Sequence, residues 1–155
     1  MALLQAVSVI HLTLIAFWGG VVATEAVIEL YPYRCRELER QAITFHYWID
    51  LLVELPVLCG VVGTGLVLAA MAWPLSALHW VKIAGAAGAV AANGICIVLV
   101  LRRQRMMTGG ASDADLWART RRVVLSAEVG LPLGLVAAAL GFWLAYQRML
   151  SLGRV

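Results

Sequence analysis

The sequence predicts an all-α polytopic membrane protein, a four-transmembrane-helix up-down bundle, and three observations carry that prediction. Of 155 residues, 63% are hydrophobic and only 14% charged, where a soluble domain carries about a quarter charged residues. The mean hydropathy is +0.88. The apolar residues gather in four runs, at about 3–30, 43–72, 76–101 and 123–147. Each run exceeds the roughly 20 residues that cross ~30 Å of hydrocarbon at ~1.5 Å per residue.

Residues 1–155 read as one integral membrane domain without a linker. The first run is too long for a cleaved signal peptide and follows no basic segment, so it reads as a span. Between the first and second runs lie Arg34, Arg36 and Arg40. Between the second and third, Pro74 in AWPLSA ends a helix and marks a tight turn. The third connection, expected as a cytoplasmic loop over 102–122, carries Arg102, Arg103, Arg105, Arg119, Arg121 and Arg122. Gly109 and Gly110 break it, and Ser112 is placed to cap a short amphipathic helix bearing Trp117, expected to lie on the anionic leaflet. The opposite side has only Lys82, Arg148 and Arg154. The positive-inside rule then puts the Arg-rich loops in the cytoplasm and both termini outside, in an inner (cytoplasmic) membrane. Trp73, Trp80, Trp143 and Tyr146 fall at the outer interface, and Tyr31, Tyr33 and Tyr47 at the inner one.

Small residues recur every fourth position, as Ala84, Gly88, Ala92 in the third run and Gly130, Gly134, Ala138 in the fourth. Such stripes let helix backbones approach closely, within a chain or in a homo-oligomer. The net charge of +3 sits in loop arginines and calls for no nucleic-acid partner. The three cysteines, Cys35, Cys59 and Cys96, are scattered and odd in number; no disulfide framework is expected, and Cys59 and Cys96 read as buried packing residues.

The chemistry lies in the ionisable groups inside the spans, which are expensive in hydrocarbon and usually face a bundle interior. The first run holds His11, Glu25 and Glu29; the second His46, Asp50 and Glu54; the third His79 and Lys82; the fourth Glu128. At about 100° per residue, His11, Trp18, Glu25 and Glu29 share one face, and His46, Asp50 and Glu54 form a slowly drifting stripe. Lys82 and Asn93 also share a face. Depth separates two clusters. Glu25, His46, Asp50 and Glu128 lie roughly 10–16 Å to the cytoplasmic side of the midplane, with Glu54 near the middle, while His11 and Lys82 lie roughly 10 Å to the other side.

Three readings of the inner cluster stay open. Glu25, His46, Asp50, Glu54 and Glu128 offer the carboxylate and imidazole donors that a transition metal such as Fe, Zn, Cu or Mn accepts. The same groups suit a proton relay or proton-coupled transporter. They also suit a structural ion network, with Arg34, Arg36 and Arg40 near enough to neutralise Glu29. In the outer cluster, His11 and His79, with Trp18 below, face a helix whose glycines leave room for the flat macrocycle of haem b.

Several short motifs, in order along the chain, resemble the HemJ family of haem-containing protoporphyrinogen oxidases and, more distantly, the CopD-type copper-resistance membrane domain. They are His11 with Trp18 and Gly20; Glu39-Arg40; Pro56 with Gly60 and Gly63; Trp80-Val81-Lys82; and Glu128-Val129-Gly130-Leu131-Pro132. The resemblance implies haem ligation by His11, a functional Lys82 beside haem or substrate, and Glu128 as the acidic residue of the fourth helix. It also implies an oxidoreductase acting on a porphyrin, with electrons passed onward, and a porphyrin or quinone-like small molecule is the expected partner. The chain departs from that pattern at Asn93, where the family has a histidine, at Ala127, where it has an asparagine, and in two extra residues before Pro132. His46, Asp50 and Glu54 have no counterpart in it. The expectation is an integral membrane metalloprotein with a transition metal, haem b or both inside the bundle. Lys82 and Glu128 are its candidate catalytic residues, and the alternatives are the proton relay and a non-catalytic metal-handling role.

Overall fold

The architecture is known from a computed structural model, which describes residues 2–30 and 38–152, with side chains as far as Gln147. Tyr31, Tyr33, Arg34, Cys35, Arg36 and Arg154, and the side chain of Arg148, lie outside the described residues. Four helices carry the fold: α1 (Ala2–Leu30), α2 (Glu39–Met71), α3 (Ala77–Thr108) and α4 (Asp113–Leu152). All four are long and apolar enough to cross a membrane, and no strand occurs among the described residues. The protein is an all-α, multi-pass, four-helix membrane bundle.

The helices pair as two antiparallel hairpins. The most extensive contact joins α3 to α4, the next α1 to α2, and the hairpins meet chiefly where α2 packs on α3. Small residues set the α3–α4 approach: a Cβ on Gly130 would sit 3.1 Å from the Ala92 Cβ, and one on Gly85 3.6 Å from the Ala137 Cβ. The small-residue stripe therefore works within the chain, through Gly85, Ala89 and Ala92 against Gly130, Gly134 and Ala137. Ala84 sits one position off that seam and is exposed.

The connection expected as a loop over 102–122 is a helical hairpin. Helix α3 runs on to Thr108, the turn is confined to 109–112, and α4 starts at Asp113. Gly110 supplies the left-handed backbone there, at φ 82°. Ser112 does cap: its Oγ accepts the Asp115 N–H at 3.2 Å and donates to the Asp115 carboxylate at 2.6 Å. What it caps is the last spanning helix itself, not a separate surface helix. Hydropathy marks where hydrocarbon ends, whereas a helix continues as long as one face is packed; Arg103, Leu116 and Thr120 supply that face.

Polarity is inverted relative to a soluble protein. Phe17, Leu66 and Leu135 are 54%, 67% and 63% exposed, whereas Arg103, Thr120, Asp50 and Glu54 are among the most deeply buried side chains. Trp73, Trp80, Trp143 and Tyr146 are exposed, as interfacial aromatics require. Tyr47 instead packs on a small core of Cys96, Val100 and Val123. Cys59 is exposed, one position round from buried Leu58, so of the two spanning cysteines only Cys96 packs inside.

Candidate metal centre

Helix α2 changes pitch where its acids lie. Glu39–Ile49 and Leu55–Met71 are α-helical, and the five residues Asp50–Glu54 between them form a π-turn in which the Leu55 N–H reaches the Asp50 carbonyl. The cause is Pro56. It has no N–H, and in an unbroken α-helix its ring presses on the carbonyl four residues back. The wider turn relieves that contact, and it has a consequence for the face. In a uniform α-helix Glu54 would drift about 80° from His46. Here His46, Asp50 and Glu54 are all buried, at 2%, 0% and 1% exposure.

Opposite them, α1 buries only His11, Glu25 and Glu29. His46 is the hub. Its Nδ1 lies 2.5 Å from Glu29 Oε1, and its Nε2 lies 3.3 Å from Asp50 Oδ1 and 3.9 Å from Glu25 Oε2. Donor atoms of Glu25, His46 and Asp50 all fall within 4.8 Å of one another. Glu54 continues the cluster beside Asp50 and accepts a hydrogen bond from Trp18 Nε1 at 2.9 Å. Asn93 of α3 approaches Glu54, and Cys96 lies against His46.

The second hairpin contributes a cation that the sequence did not single out. Arg103 is fully buried and grips Glu29 with both terminal nitrogens, Nη1 to Oε2 at 2.7 Å and Nη2 to Oε1. Its Nη1 also donates to Thr120 Oγ1 at 2.9 Å, and Thr120 donates to Glu39 Oε1 at 3.1 Å. The first-loop arginine within the described residues, Arg40, pairs instead with exposed Asp113 at 2.7 Å. Among the described residues, the guanidinium paired with Glu29 comes from α3. The signal was weak: one arginine among Arg102, Arg103 and Arg105 had to turn inward, and only the register selects it.

The other candidates fall elsewhere. His11 is buried in the opposite half of the bundle, with Nδ1 2.8 Å from Thr64 Oγ1 and its ring against Gly65. Lys82 is half-buried, within electrostatic range of His11, its stem over Gly141. His79 lies in the first turn of α3, where its Nδ1 meets Ser76 Oγ at 2.7 Å. Trp18 joins the carboxylate cluster through Glu54 and has no described contact with His11. Glu128 is exposed, on the α4 face that also shows Arg121 and Leu125, one position round from the interior line through Val123 and Gly130. It is not brought to Glu25, His46 and Asp50.

Comparison with protein families, with characterised proteins and with solved structures found no match. Fold and site define a class: a multi-pass helical membrane protein with carboxylates, an imidazole and a guanidinium buried together at one end of its bundle.

Proposed function

We propose that the chain is an integral membrane metalloprotein whose redox-type centre takes a transition metal at Glu25, His46 and Asp50, with Glu54 alongside. One observation carries the reading. His46 Nε2, both Asp50 oxygens and Glu25 Oε1 are buried and have no hydrogen-bond partner among the described residues, and one donor atom from each of the three residues lies within 4.8 Å of the others. Unpaired buried charge is costly, and a divalent cation held by two carboxylates and a neutral imidazole removes that cost without residual charge. Oxygen-rich donors with one imidazole suit Fe, Mn or Zn, and Cu by affinity order. Bound iron or copper would supply one-electron chemistry. The protein's own part is to hold the carboxylates and imidazole and to keep bulk water away.

Elemental analysis of purified wild type, Asp50→Asn and His46→Ala tests this. Wild type is expected to carry metal that both variants lose, and equal content in all three overturns the reading. The resemblance to HemJ-type proteins adds haem b on His11, with Lys82 beside it and a porphyrin or quinone-like substrate. Absence of a Soret band after haem-replete expression overturns that part. The second reading, a proton relay, is favoured by the buried carboxylates Glu25, Glu29, Asp50 and Glu54 gathered around His46. It predicts pH-dependent flux in liposomes with no metal bound. By the positive-inside rule the Arg-rich turns face the cytoplasm and the termini face outside, in an inner membrane.

A further inference from the structure

We infer that Glu29, held by Arg103, is the positioning residue of the metal centre: it fixes the proton of His46 on Nδ1 and so aims the Nε2 lone pair at the ligand point. This rests on the metal reading. Glu29 cannot itself join the ligand point, because Arg103 occupies both of its oxygens and His46 Nδ1 lies 2.5 Å from one of them. A carboxylate so engaged acts only as an acceptor, which requires the proton on Nδ1. In the neutral imidazole Nε2 then presents its lone pair to Asp50 Oδ1 at 3.3 Å and Glu25 Oε2 at 3.9 Å. Lone pair against carboxylate oxygen is repulsive unless a second proton or a metal cation lies between them, and the metal reading puts the metal there. Histidine ligands to metals characteristically give their other N–H to a carboxylate, and loss of that partner weakens metal binding.

The clamp also divides labour between the hairpins. Glu25, His46, Asp50 and Glu54 all come from α1 and α2, whereas Arg103, which grips Glu29, and Thr120, which accepts from Arg103, come from α3 and α4. The second hairpin therefore governs affinity without supplying a ligand from this cluster.

The protein has three histidines, so ring nitrogens are resolvable by NMR on [15N]histidine-labelled protein in lipid nanodiscs. Zinc chloride is the probe, with its affinity measured by competition with a chromogenic chelator. In wild type, His46 is expected to carry its proton on Nδ1 and to shift at Nε2 when zinc binds. Glu29→Gln is expected to lose that tautomer preference and to bind zinc about 10–100-fold more weakly. Arg103→Lys, which keeps the charge but loses the two-pronged grip, is expected to fall between the two. A wild-type protein that binds no zinc refutes the metal reading itself. Zinc on Nδ1, His46 protonated on both nitrogens in zinc-free wild type, or a Glu29→Gln protein with wild-type affinity and spectrum overturns the positioning role alone. If Glu29→Gln does not fold, the wild-type spectrum and Arg103→Lys decide.

Discussion

At the scale of single residues, the interior is an arrangement of charges that must compensate each other, because lipid offers no water to do it. Glu29 and Arg103 form a fully buried pair with good two-pronged geometry. Removing one partner leaves the other's charge uncompensated, which costs about 3–5 kcal/mol. Arg103→Met is therefore expected to destabilise the bundle by about that amount, and Arg103→Met with Glu29→Gln to recover most of it; unfolding in SDS against mixed micelles measures both. Additive losses in the double variant would mean that the pair is not the source of the cost. The acids and histidines of this site were legible in the sequence, since any ionisable residue in an apolar run stands out. Arg103 and Thr120 were not, because they occur in a polar stretch where their neighbours Arg102, Arg105 and Arg121 are exposed.

At the scale of elements, α2 and the α3–α4 seam do the positioning. Pro56→Ala restores an N–H and removes the ring that favours the π-turn, so the segment can close to a regular α-helix. Glu54 would then rotate off the face that His46 and Asp50 share, and metal affinity is expected to fall several-fold with the fold retained; unchanged affinity would separate the π-turn from the site. In the seam, Gly130 lies where a Cβ would stand 3.1 Å from Ala92 and 3.9 Å from the Ala89 carbonyl oxygen. Gly130→Leu forces these backbones apart and is expected to cost about 1–3 kcal/mol, read in the same SDS unfolding. Proline, glycine stripe and serine cap were all visible in the sequence. The length of α3 and α4 was not, because the polar turns at their ends belong to helices only through the packing of Val100, Arg103, Leu116 and Thr120.

At the scale of the whole molecule, the ligands sit on one hairpin and the clamp on Glu29 comes from the other, so what binds the site should stabilise the folded bundle. A cation that binds only the folded state at a free concentration 100 times its Kd adds about 2.7 kcal/mol of stability. Zinc is expected to raise the unfolding midpoint of wild type and to leave Asp50→Asn unmoved, which differential scanning of detergent-solubilised protein reads directly. Topology gives a second expectation. In a cysteine-free background, a cysteine at Ser112 should react with a membrane-impermeant maleimide in inverted vesicles and not in intact cells. Labelling in intact cells would reverse the orientation derived from the arginines.

The sequence by itself determined that this is a four-span helical membrane protein, because hydrocarbon thickness and helical rise leave one way to read four long apolar runs. It also determined that Glu25, His46, Asp50 and Glu54 need an explanation, because charge in such runs is expensive. Only the tertiary structure decided which charges meet. It brought Glu25 and Glu29 to His46, drew Trp18 to Glu54, turned Arg103 inward, and left Glu128 outside. Residue spacing sets the face of one helix, but the meeting of faces depends on the rotation of each helix about its axis. That rotation is set here by the glycine seam, which carries no charge, and by the π-turn of Asp50–Glu54, whose apolar neighbour Pro56 decides the pitch.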